Sequence, residues 1–312
     1  MNRVLLALVL VSPSALLAQT FTYATIDVPG AVTTEARGIN NNGEIVGFYR
    51  TAACQDYDIK VPSCHSKGFK YVNGQFIKLM VPNSTSTAIM GVNDLGDLVG
   101  FYTKSDGKSH GFIWYHQNVI KTIDHPGWVS GTVPFGINKG GTVVGGVWGI
   151  GSIGTFPSGG WVWKNGTFSD MDPYQKPAAA PCCWSVNGIA NNGVLVGEVF
   201  QADFHNAWFK EATDADFFMD VLPNNNGTDS FGMGVNSGRD VVGYSFQGWF
   251  APHIEANEGA NDATETKPKF IAVKFPNSQL TIPFGVNDLR GVVGTYADST
   301  GKMRGFLAKP NF

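Results

Sequence analysis

Short apolar runs, each broken after a few positions by glycine, asparagine or proline, occupy this chain from Phe21 to Phe306. No stretch of ten or more residues carries apolar side chains at i, i+3, i+4 and i+7, so the pattern predicts strands and no helices. The runs recur as a four-part unit. The first part is Gly-Ile/Val-Asn, at Gly38, Gly91, Gly136, Gly234 and Gly285, with Gly-Ile-Ala at Gly188. The second ends in Val-Gly or Val-Val-Gly, at Gly47, Gly100, Gly145, Gly197, Gly243 and Gly294. Between them lies Asn-x-x-Gly or a close variant, whose Asn, Asp and Gly residues accept the positive φ of a tight hairpin. The third part is small-aromatic, as in Gly68-Phe69, Gly111-Phe112, Gly160-Trp161, Ala207-Trp208, Gly248-Trp249 and Gly305-Phe306. The fourth alternates and ends in proline, as in Phe76–Pro82, Val119–Pro126, Phe217–Pro223 and Phe270–Pro276.

A strand-bearing unit repeated six times with a period of about 50 residues is the mark of a toroidal or solenoid β array. Turn chemistry orders the strands within it. Asn73-Gly74 and Asn165-Gly166 join parts three and four as a hairpin, parts one and two form another, and the part-four-to-part-one link steps to the next unit. The glycine-rich first strand is then innermost, where units crowd and backbones must approach closely. The last unit stops after its third part, while Phe21–Pro29 is a spare fourth part at the other end. The prediction is an all-β, six-bladed β-propeller of four-stranded antiparallel blades, in which the N-terminal strand (about 21–29) completes the last blade (about 285–309) and hides the sheet edges. An open β-solenoid with capping units is the weaker competitor, because missing and spare strands match one for one.

The repeated Gly-Ile-Asn-Asp/Asn-x-Gly-x-Val-Val-Gly followed by His-Ala/Gly-Phe resembles the HAF-repeat family of bacterial extracellular proteins. His110-Gly111-Phe112 lies nearest the naming tripeptide, with His205 to Trp208 and Arg304 to Phe306 as degraded versions. The resemblance spans the chain beyond its leader and implies bacterial origin, export and a propeller-like repeat. It lends no catalytic residues.

Composition narrows the partners. Arg3, the apolar Val4–Val11 and a small-residue exit at Ala18 read as a signal peptide over 1–18, far short of the roughly 20 apolar residues a bilayer span needs. Residues 19–312 then form a single propeller domain, expected to be secreted, extracellular or periplasmic, and monomeric. Charged residues make up only 15%, the net charge is −3 and basic residues are scattered, which argues against nucleic acid and anionic membrane surfaces as partners. No later run resembles a membrane span, and no cofactor is predicted. In an exported chain the four cysteines favour oxidised pairs. Proximity favours Cys54 with Cys64 and Cys182 with its neighbour Cys183; the crossed pairings, and thiols at 182 and 183, stay open.

The chain carries no Gly-x-Ser-x-Gly elbow, His-Glu-x-x-His, Walker loop or paired zinc cysteines. His110 reads as a blade hydrogen-bonding residue. The Asn-Asp-x-Gly turns invite a calcium reading but lack an acidic ladder, so they read as turns and no metal site is predicted. The irregular material collects on the face opposite the tight turns. There Trp128, Trp148, Tyr174 and Trp184 are candidate stacking surfaces, with His125, Asp172 and His205 as polar partners. The bland reading of these aromatics is that they plug the channel and cover blade edges. The leading functional expectation is a non-catalytic binding or scaffold propeller engaging a glycan, a peptide or a cell-surface partner through this face. The alternative is a secreted carbohydrate-active enzyme, a polysaccharide lyase or hydrolase, with its site at the channel mouth.

Overall fold

The computed structural model describes residues 21–52, 65–105, 107–127, 131–151, 154–171, 184–201, 204–212, 229–254 and 270–312, with backbone alone for 147–151, 154–158 and 201. The signal-peptide stretch, the four cysteines and the run at Phe217–Pro223 lie outside these residues. All the regular structure described is β, in six antiparallel sheets.

The chain opens with β1 (Phe21–Ile26). Blade 1 follows as β2 (Thr33–Ile39), β3 (Ile45–Arg50), β4 (Lys67–Val72) and β5 (Gln75–Leu79). Blade 2 is β6 (Ser86–Val92), β7 (Leu98–Thr103), β8 (Ser109–Trp114) and β9 (Ile120–Thr122). Blade 3 is β10 (Thr132–Ile137), β11 (Val143–Gly151), β12 (Gly154–Lys164) and β13 (Thr167–Met171). Blade 4 shows three strands, β14 (Trp184–Ile189), β15 (Leu195–Gln201) and β16 (Phe204–Lys210). Blade 5 is β17 (Phe231–Val235), β18 (Val241–Tyr244), β19 (Gly248–Ala251) and β20 (Ile271–Val273). Blade 6 is β21 (Leu280–Val286), β22 (Val292–Ala297) and β23 (Met303–Pro310), completed by β1 in the order β1-β23-β22-β21.

That last pairing is the predicted closure. β1 runs antiparallel to β23 from Phe21 opposite Pro310 to Ile26 opposite Gly305. Phe21 is fully buried against Phe250 of blade 5, so the N-terminal strand also fastens one blade to the next. β2 of blade 1 packs on β22 and β23 of blade 6, and each earlier blade touches its successor, which makes the ring continuous. The result is a six-bladed β-propeller.

Glycine sets the packing twice per blade. At Gly197, representative of the second-part glycines, a Cβ would lie 2.0 Å from the Ser185 carbonyl oxygen and 2.4 Å from Cζ2 of Trp208. The third-part aromatic therefore rests directly on the second strand: Trp208, Trp161, Phe69, Phe112 and Phe306 are all fully buried. The first-part glycines line the axis instead. A Cβ on Gly234 would come within 2.6 Å of the Phe284 carbonyl oxygen and 3.1 Å of the Gly285 Cα in the next blade. Small residues there let the six inner strands converge, as the sequence pattern required.

The repeated asparagine has a role that turn propensity does not reveal. Asn40 Oδ1 accepts from the Asn42 and Glu44 amides, fixing the hairpin, while its Nδ2 donates to the Asn93 carbonyl of the next blade at 2.9 Å. Asn93 donates likewise to the Asn138 carbonyl, Asn138 to that of Ala190, Asn236 to that of Asn287, and Asn287 back to that of Asn40. Five amides thus belt the ring. Ala190 has no side-chain donor to pass on, which leaves one gap between blades 4 and 5.

Candidate functional site

One residue per blade points into the central channel, and a bulge puts it there. In every blade the pairing of the first two strands slips by one residue immediately before the first-part glycine. The extra residues are Arg37, Met90, Phe135, Asn187, Met233 and Phe284. A bulge inserts an unpaired residue and re-aims its side chain. All six line a cavity of about 330 Å³ on the irregular-loop face. Below them the channel narrows to about 70 Å³ at the glycine waist and about 60 Å³ at the tight-turn mouth. That mouth is filled by polar contacts: Asn41 Nδ2 donates to Asp94 and Asp288, and Asn191 Nδ2 reaches Asp94 two blades away.

The bowl is apolar on its flanks and polar at two opposite blades. Blades 2 and 3 contribute Met90, Phe101 and Phe135; blades 5 and 6 contribute Phe231, Met233, Tyr244, Ile282 and Phe284. Blade 1 brings Arg37 and Arg50. The Arg37 guanidinium is 2.7 Å from Glu35 and lies 3.8 Å over the Phe284 ring, while Arg50 donates to Ser66 Oγ and sits over Phe48. Blade 4, three steps round the ring, breaks the apolar pattern with Ser185, Asn187 and Glu198. Ser185 Oγ lies within hydrogen-bonding distance of both Asn187 Oδ1, at 2.7 Å, and Glu198 Oε1, at 3.2 Å.

Burial raises the Glu198 carboxyl to about 7; the Ser185 bond works against this shift and the nearby Asp229 charge adds to it. His205 Nδ1 lies 3.8 Å from Glu198 Oε2. Burial lowers the pKa of this imidazole, with Asp229 pulling the other way. The ring stacks on Phe231 at 4.9 Å, and Phe231 stacks in turn on Tyr244. A neutral histidine and a reluctant carboxylate therefore share one corner of an aromatic bowl.

The residues singled out by sequence are dispersed. His205 reaches this corner. His125 sits instead at the junction of blades 2 and 3, where it is buried, bonds Asp170 Oδ1 through Nε2 at 2.9 Å and packs edge-on against Phe168. Trp184 is half-buried and packs with Val186, Trp208 and Met171 between blades 3 and 4. Trp148 falls in β11, where only backbone is described; Trp128, Tyr174 and Asp172 lie outside the described residues, as do Cys54, Cys64, Cys182 and Cys183. His110 pairs through Nδ1 with Asp124 Oδ2 at 2.8 Å and stacks on Tyr102, a blade contact. Arg304 takes the equivalent place in blade 6, bonding Asp27 and Asp298.

Sequence reasoning missed the six bulge residues and Glu198. A signal for the first set was available: the position before each first-part glycine changes chemistry from Arg to Met, Phe and Asn while the glycine after it does not change. Among the described residues no group of three or more His, Cys, Asp or Glu side chains could hold a metal ion, and no helix is long and apolar enough to cross a membrane.

No protein-family model matches the chain, and no curated protein matches it significantly in sequence. Solved structures match it across most of its length. The β-propeller domain of the Trilobed protease from Pyrococcus furiosus is 12% identical with a TM-score of 0.50, covering 89% of this chain and 79% of that one. A protein provisionally assigned as a gluconolactonase is 13% identical with a TM-score of 0.50, covering 94% and 93%. The virginiamycin B lyase of Staphylococcus aureus is 10% identical with a TM-score of 0.46, covering 91% and 88%. At these identities the likeness concerns the propeller fold alone.

Proposed function

We propose that the protein is an exported binding propeller of the HAF-repeat type, which holds an apolar group of a peptide, glycan or surface partner in the bowl on its irregular-loop face. The observation that carries this reading is the ring of bulge residues. The first- and second-part glycines and the third-part small-aromatic pairs recur for packing, whereas the bulge position changes from Arg to Met, Phe and Asn and, with neighbouring strand residues, builds a concave apolar cavity with a few polar groups, the usual make-up of a ligand site. A rigid, closed ring loses little entropy on binding, which favours recognition.

The test is a peptide and glycan array probed with the intact protein and with Met233→Trp, which fills the bowl from one bulge position. Specific binding that the filled variant loses, with an unchanged unfolding midpoint, supports the reading. Array binding indifferent to the filling would move the partner to another surface.

A second reading, a secreted polysaccharide lyase or hydrolase, draws on one observation: Glu198, with its carboxyl near 7, stands beside His205, a pairing suited to proton transfer. Turnover on a polysaccharide panel, abolished in Glu198→Gln, would establish it.

A further inference from the structure

Two buried polar atoms at the bowl, Glu198 Oε2 and Arg37 Nε, have no hydrogen-bond partner among the described residues. Their situations differ. Arg37 has its charge matched by Glu35, and its guanidinium lies over the rings of Phe284 and Phe48. Glu198 has no such match. Its side chain is nine-tenths buried, and a single described hydroxyl, that of Ser185, donates to it. The basic group nearest it, His205, resists protonation where it sits, and Asp229 adds like charge. A buried carboxylate is stable when paired and costly when not. What would complete this one is a cationic donor.

The surroundings say what kind. Phe135, Phe231, Tyr244 and Met233 present aromatic edges and faces and a thioether, an environment that accepts a small organic cation and the apolar body behind it. Among the described residues, Asn187 and Tyr244 are the only polar side chains lining the bowl besides Glu198 and the two engaged arginines, too few to bind the many hydroxyls of a sugar ring. We propose that the bowl binds an apolar amine, with its ammonium on Glu198 and its hydrocarbon against Phe135, Phe231 and Met233. The proposal rests on the reading of the bowl as a binding site and names the ligand chemistry. A charge-assisted N–H···O bond to a desolvated carboxylate supplies the selectivity.

Protonation of Glu198 competes with the ammonium, so affinity rises as pH climbs through about 7. The groups facing Glu198 are Ser185 from β14, His205 from β16 and Asp229 ahead of β17, with Arg37 and Arg50 across the bowl. Loss of the His205 proton would favour a cation with the same sign, but burial holds that imidazole below its ordinary range, so its effect falls at lower pH than that of Glu198.

The experiment is calorimetric titration of the full chain with phenethylamine and with its neutral isostere 2-phenylethanol, at pH 5.5 and 8.0. At pH 8.0 the amine should bind about tenfold or more tightly than the alcohol, a difference expected of one charge-assisted bond. That ratio should shrink at pH 5.5 and collapse toward one in Glu198→Gln, with foldedness checked by the urea midpoint. Equal binding of amine and alcohol by the natural protein, or a preference that survives Glu198→Gln, overturns the ammonium assignment while leaving the bowl as a site. Failure of both probes to bind a folded protein overturns the bowl reading and this proposal with it. Phe-Gly-Gly beside N-acetyl-Phe-Gly-Gly separates the two sources of the same chemistry: a free-terminus tripeptide binding more tightly than phenethylamine assigns a peptide amino terminus, and the reverse assigns a small amine.

Discussion

Replacing Asn287 by alanine tests the asparagine belt at the seam where the ring closes. The side chain donates through Nδ2 to the Asn40 carbonyl at 2.9 Å, and its Oδ1 accepts from the amides of Gly291 at 2.8 Å and Leu289 at 3.2 Å. Each such bond contributes about 1 kcal/mol net, and a buried amide left without an acceptor costs more. Asn40 O keeps its bond from Gly43, but the buried Gly291 amide has no second acceptor. The expected loss is therefore about 2–3 kcal/mol. The natural Ala190 shows that the hairpin survives without the side chain, since Gly193 still donates to Ala190 O and Ala190 to Val194 O. The variant should fold and simply unfold earlier. Urea denaturation followed by tryptophan fluorescence reads this as a lower midpoint with unchanged slope. The converse change, Ala190→Asn, should supply the missing link to the Asn236 carbonyl and stabilise by about 1 kcal/mol. A loss below about 0.5 kcal/mol for Asn287→Ala would refute the belt as a source of stability, because that is no more than a neutral surface change produces.

Three further outcomes are expected. Gly197→Ala places a methyl group against the Ser185 carbonyl and the Trp208 ring, neither of which can withdraw, so soluble expression or the circular-dichroism transition should be lost. Phe21→Ala empties a fully buried site at the closure and should cost about 3–5 kcal/mol; excising residues 21–29 should expose the β23 edge and appear as self-association in size-exclusion chromatography. Glu198 has its folded-state pKa raised from 4.5 to about 7, so its contribution to stability is complete below about pH 4.5 and is lost as pH rises through 7. Without ligand, Glu198→Gln should thus gain on the natural protein between pH 5 and 8, by a few kcal/mol at most; a constant difference in urea midpoint across that range would show that Glu198 is not held in its neutral form.

Much of the fold could be read from the chain before folding. Asn73-Gly74 and Asn165-Gly166 take the positive φ values their turn demands, and the spare Phe21–Ile26 segment completes the sheet that lacked a fourth strand. Local turn chemistry and strand count sufficed, because each hairpin is specified within a few residues. The site was legible only in part. His205 was singled out and lies beside Glu198 and Phe231 of the bowl lining, whereas His125, chosen for the same reason, faces Asp170 between two blades. Both sit near links on the irregular face; which way each turns depends on the neighbouring blade.

The limit of the sequence is sharpest at the channel. Strand alternation assigns inward and outward positions by parity, and a one-residue bulge before each first-part glycine resets that parity, so Arg37, Met90 and Phe135 cannot be placed from period alone. Glu198 reads in sequence as one polar residue in a strand. Only closure of the ring sets it across the channel from Arg37, buries it and leaves it one hydroxyl for company. Strand identity, turn type and repeat number are short-range properties and belong to the sequence. Which side chains meet across the axis is fixed by six blades converging at once, and that belongs to the tertiary structure.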